Sequence, residues 1–117
     1  MLSPHNASSI STTTVTVDRR WSVDPRAIVS AITLSGVLAS IIGEDVIVET
    51  ARKTGGLVLS ARSCSEPSEH VEIWLLDYGT FTEVSMNLCS HKSLLRRGGV
   101  KRRLEGFCDE LENAVGL

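Results

Sequence analysis

The stretch VTVDRRWSVDPRAIVSAI, Val15 to Ile32, changes its hydrophobic period halfway along. Up to Trp21 the chain alternates. Val15, Val17 and Trp21 fall on one side and Thr14, Thr16, Asp18 and Arg20 on the other, as in a strand with one buried face. This first strand is expected over Thr12 to Trp21. Asp24-Pro25 then joins a side chain that can accept from the free N–H groups of a first helical turn to a ring whose φ is already near the helical value. Beyond it the spacing becomes three and four, through Ile28, Ala31, Ile32, Ser35, Leu38, Ala39 and Ile42. One helix is predicted from this cap to about Ile42, ending at Gly43. Its other side carries Ser30, Thr33, Val37 and Ser40 in place of charges, so a further surface is expected to pack against it.

Working downstream, Glu44 to Arg52 reads as a strand, and Lys53-Thr54-Gly55-Gly56 as a hairpin turn whose glycines are free to adopt positive φ. Leu57 to Arg62 is the return strand. After a polar loop, residues 70–78 place Val71, Ile73 and Leu75 on one face and Glu72, Trp74, Leu76 and Tyr78 on the other. Two partly apolar faces mark a central strand. Gly79-Thr80 turns the chain into Phe81 to Ser90, where Thr82, Val84, Met86 and Leu88 alternate with polar residues. Val100, Leu104, Phe107, Cys108, Leu111 and Val115 then form the stripe of a second helix, Gly99 to Val115.

The predicted order is β-α-β-β-β-β-α. Strands joined in sequence by short turns pair antiparallel, so the fold class is α+β: a two-layer sandwich with an antiparallel sheet and two helices on one face. Residues 1–11 are Ser-rich without an apolar pattern and are expected to be a mobile tail, leaving 12–117 as a single domain. In outline, with VTVDRRWSVDPRAIVSAI as first strand and first helix, the order is similar to helix-grip folds of the polyketide cyclase and lipid-transfer type. That resemblance implies a carrier of a small apolar ligand.

Composition excludes several classes. Apolar residues at 42% and charged ones at 22% are those of an ordinary globular domain. The three cysteines, Cys64, Cys89 and Cys108, have no CxxC spacing, which argues against a zinc site or a disulfide framework. No metal or other cofactor is expected, since His5 and His70 lack a partner at ligand spacing and neither GxxxxGK[ST] nor GxGxxG occurs. The start of the chain lacks the basic and apolar regions of a secretory signal, so a cytoplasmic protein with reduced thiols is expected. Residues 27–43 are uncharged, but at 1.5 Å per residue they reach only about 25 Å, short of a bilayer core of roughly 30 Å. A membrane span is not expected.

Charge is concentrated in HKSLLRRGGVKRR, residues 91–103, which holds six of the twelve Lys and Arg residues, while Glu105, Asp109, Glu110 and Glu112 follow. This order opposes the helix dipole at both ends, a reason to look for a local role. Lys92, Arg96, Arg97, Gly98, Gly99, Lys101, Arg102 and Arg103 could surround one anion at the helix start, with backbone N–H groups and guanidinium forks as donors. At 100° per residue, however, Lys101, Arg102 and Arg103 form a collar and not a stripe, which argues against reading of a DNA groove by this helix. The expected partner is an acidic protein, a phosphate group or a nucleic-acid backbone met end-on.

No catalytic signature accompanies these residues. Cys89 and His91 share one side of a strand but lack an orienting third group. Glu66, Glu69 and Glu72 read as a solvated edge, and Cys108 as a small core residue. The leading expectation is therefore a non-enzymatic binding or assembly module with an anion-contacting basic corner. The alternative is a carrier with an apolar cavity lined by Val84, Met86, Leu88, Leu104, Phe107 and Leu111. In either case Trp74, Leu76 and Tyr78, together with Thr33 and Val37, are expected to form the interface of a homodimer.

Overall fold

The alternating segment forms β1 (Thr13–Trp21), with Val15, Val17 and Trp21 buried and the residues between them wetter. The structure is a computed structural model that describes residues 13–43, 45–64, 69–90 and 97–117. The expected tail at 1–11 lies outside these residues. After β1 come α1 (Pro25–Ser35), α2 (Ala39–Ile42), β2 (Val46–Lys53), β3 (Gly56–Ser63), β4 (Glu69–Asp77), β5 (Thr82–Ser90) and α3 (Arg97–Val115). The strands make one antiparallel sheet in the order β1-β5-β4-β3-β2, so the first strand pairs with the last and β4 is central. The helices cover one face, giving the α+β sandwich its two layers.

The first helix starts as its cap dictates. The Asp24 carboxylate accepts from the backbone N–H of Arg26 at 2.8 Å, with Pro25 in the first turn. Its end differs from expectation, because a single helix to Ile42 does not form. Gly36 adopts φ +67°, the left-handed conformation that terminates helices, and the Ser35 hydroxyl accepts from the backbone N–H of Val37 at 3.3 Å. The chain turns and starts the short α2, so Val37, Leu38, Ile41 and Ile42 all become core. Periodicity alone could not show this break, since the residues after Gly36 remain apolar at nearly helical spacing.

The hairpin between β2 and β3 also departs in detail. Only Gly55 has positive φ. Gly56 is extended and pairs with Lys53, and a Cβ placed on it would lie 2.1 Å from the carbonyl oxygen of Leu75 on β4. There glycine permits close strand approach and is not needed for a turn conformation.

One core joins the layers. Val71, Ile73 and Leu75 of β4 and Val84, Met86 and Leu88 of β5 meet Val100, Leu104, Phe107, Cys108 and Leu111 of α3, with Ile28 and Ile32 of α1 beside them. Full burial of such side chains is worth roughly 1.5–3 kcal/mol each, so this contact dominates stability. Two polar links position the helices. Trp21 Nε1 donates to Glu112 Oε2 at 3.1 Å, tying β1 to α3, and the Thr82 hydroxyl donates to the carbonyl of Val23 at 2.6 Å. β2 stands apart: seven of its eight residues are exposed.

Candidate functional site

The basic corner is only partly where the sequence suggested. Lys92 and Arg96 lie outside the described residues; Arg97, Gly98 and Gly99 form the first turn of α3, where both glycines are exposed. Lys101 and Arg102 are exposed as well. Arg103 is not free to meet an external anion. Its guanidinium donates to both oxygens of Glu69, at 2.7 and 3.1 Å, and to the carbonyl of Ile41 at the end of α2. This corrects two readings, since Glu69 is buried at 3% exposure and is no solvated edge. The physical reason is helical geometry. Arg103 stands three residues after Val100 and four before Phe107, so its side chain flanks the buried stripe and reaches the sheet. That spacing was available in the sequence as a signal.

The predicted dimer surface does not assemble as one patch. Trp74 and Leu76 are half-buried on the sheet face away from the helices. They line an open concavity of about 680 Å³ together with Asp18, Arg20, Glu72, Glu83, Ser85 and Asn87. Polar pairs break up the apolar surface on that face: Trp74 Nε1 donates to Glu72 Oε1 at 3.3 Å, Thr16 donates to Asn87 at 2.6 Å, and Arg20 sits 3.7 Å from Glu83. Tyr78 lies past the end of β4 and stacks on Phe81, their centroids 5.0 Å apart. Thr33 belongs to the helical layer, where its hydroxyl donates to the carbonyl of Val29. Val37 is buried because of the turn at Gly36 and cannot join any surface.

The six residues expected around an apolar cavity do face one another between sheet and helix. All are buried to 2% exposure or less, and behind them Cys108 Sγ lies 3.4 Å from Met86 Sδ. They make a packed interior. Open apolar space is found elsewhere, at the end of the helical layer nearest β2. There Ile32, Thr33, Gly36, Leu38, Ala39, Asp45, Val46 and Val48 enclose a recess of about 430 Å³. Two features missed in the sequence create it. The break at Gly36 pulls the helical layer away, and β2 extends beyond helical cover, leaving Val48 at 42% exposure although it points to the helix side.

Cys89 is half-buried on the open sheet face and accepts from the Thr14 hydroxyl at 3.6 Å; His91 lies outside the described residues. Burial pushes the Cys108 thiol up to about 11, in keeping with an inert core position. Among the described residues no cluster of His, Cys, Asp and Glu could hold a metal ion, and no helix is long and apolar enough to cross a membrane.

No protein-family model matches the chain, and no curated protein does. Solved structures do resemble it. Protein MLL2253 from Mesorhizobium loti superposes with a TM-score of 0.60 at 19% identity, covering 87% of this chain and 96% of its own. Protein CV1439 from Chromobacterium violaceum gives 0.57 at 12% identity, with coverages of 90% and 99%. The structure of Ara h 8.0201 gives 0.53 at 12% identity, covering 90% and 98%. At these identities the likeness is one of fold, and it agrees with the helix-grip outline.

Proposed function

We propose that this protein binds a small apolar molecule in the recess between the α1–α2 turn and β2. The observation that carries this reading is the recess itself. Its 430 Å³ lies within the range of small-molecule sites, and its walls are apolar apart from Thr33 and Asp45. The helix-grip outline supports the same reading, and the packed interior moves the binding place from the α3–sheet contact to the open end. The basic corner receives no comparable support, because Arg103 is committed to Glu69.

The amphipathic dye 1-anilinonaphthalene-8-sulfonate tests the proposal. It should brighten saturably with the native protein, and native mass spectrometry of freshly purified material should show an adduct of a few hundred daltons. Val48→Glu puts a charge on the wall, and Ala39→Trp fills space next to it; each should weaken dye binding roughly tenfold, the cost of placing a polar group or excess volume in an apolar site. Dye binding by both variants equal to that of the unaltered protein would refute the assignment.

A further inference from the structure

β2 ends the sheet, and among the described residues no strand runs along its outer edge. Its backbone groups can be assigned to the two edges. The Asp45 carbonyl accepts from the N–H of Cys64 at 3.0 Å, one step before the pair Val46↔Ser63. Odd-numbered residues thus turn their N–H and C=O groups towards β3. By alternation those of Val46, Val48, Thr50 and Arg52 point outward. An eight-residue strand that is exposed on both faces and carries Val46, Ile47 and Val48 is a template for a further strand.

We infer that β2 pairs with β2 of a second copy, antiparallel about a two-fold axis through Ala51. In a two-fold ladder of this kind opposed residues share a face, so a residue can meet only partners of its own parity. The charges then select the register. Centred on Ala51, Glu49 stands opposite the partner's Lys53, and the contact occurs twice by symmetry. Both ion pairs fall at non-hydrogen-bonded positions, where opposed side chains approach most closely. Thr50 and the partner's Arg52 exchange backbone hydrogen bonds, again twice. Centring on Glu49 would oppose two carboxylates and centring on Lys53 two ammonium groups, while centring on Thr50 leaves Glu49 facing an alanine. The strand is complementary in charge to itself, which favours another copy of this chain over an unrelated strand. The closed pair is isologous and joins the two sheets through their β2 edges. It does not depend on the ligand reading.

Sedimentation velocity over a concentration series tests the pairing with the full chain and four variants. The unaltered protein should show a monomer–dimer equilibrium. Glu49→Lys and Lys53→Glu should each raise the dimer dissociation constant about tenfold, since two attractive pairs become two repulsive ones, and the double swap should return it to within about threefold. Thr50→Pro, which removes an outward N–H that β3 does not use, should abolish the dimer while the monomer keeps its unfolding midpoint. A protein monomeric at its highest soluble concentration, assembly beyond two copies, or a double swap no better than the singles would overturn the pairing. A dimer unaffected by all four variants would also overturn it and move the interface to another face.

Discussion

Replacing Arg103 with Met should destabilise this protein more than removal of any other described cation. The guanidinium makes two charge-assisted hydrogen bonds to a carboxylate whose side chain is 4% exposed, and a third to the Ile41 carbonyl. Breaking a fully buried ion pair costs about 3–5 kcal/mol. The Arg103 side chain is 35% exposed, so solvent screens part of this and about 2–3 kcal/mol is the better figure. At about 2.1 cal/mol/K of unfolding entropy per residue, each kcal/mol lowers the midpoint of a domain of this size by roughly 4 °C, which gives a fall of about 8–12 °C. Thermal unfolding followed by circular dichroism provides the measurement, with Arg102→Met as control; that exposed neighbour should move the midpoint by no more than about 2 °C. Arg103→Lys should recover only part of the loss, because one ammonium cannot span both carboxylate oxygens as the fork does. If Arg103→Met and Arg102→Met melt together, the clamp between α3, β4 and α2 contributes no stability and the reassignment of Arg103 from partner contact to internal brace fails.

Two further outcomes follow from the helical layer and the core. Gly36→Ala forces a Cβ into the left-handed region at φ +67° and should lower stability by about 1 kcal/mol in urea titrations, with the recess beside it affected as well. Cys108 should resist iodoacetamide at pH 8 in the folded protein while exposed Cys64 reacts, and it should react fully once urea unfolds the chain. Its thiol is raised from 9.0 to about 11, first by burial and then by nearby Asp109, Glu105 and Glu112, so the neutral form is favoured in the fold. The associated stability is complete below pH 9 and is lost as pH climbs towards 11. Cys108→Ala should flatten that part of the pH–stability curve.

Strand alternation made the sheet legible in advance, down to which residues of β4 and β5 face the helices, because burial of one face imposes a period of two that short turns cannot disguise. The stripe of α3 was equally plain. What stayed hidden depended on contacts between distant segments. Nothing near Glu69 in the chain announces a bond to Arg103, and within the run of charges only the spacing of Arg103 from Val100 and Phe107 sets it apart. Gly36 was present in the sequence, yet a glycine within an apolar helical pattern does not declare its φ. The recess required both that turn and the overhang of β2, neither of which leaves a local mark.

The position of β1 beside β5 governs when this fold can form. β1 leaves the ribosome first among the described strands, but the strand it pairs with among the described residues spans Thr82–Ser90, and Trp21 bonds to a residue 91 positions later. Until β5 has emerged, the apolar side of β1 has no sheet to join, and closing so long a loop carries an entropic cost that local contacts do not offset. The hairpin β2–β3 and the meander through β4 and β5 can assemble beforehand from neighbouring residues. Folding should therefore run from the middle outward, with the first strand docking last, at the slower rates expected of sheets closed by distant pairing.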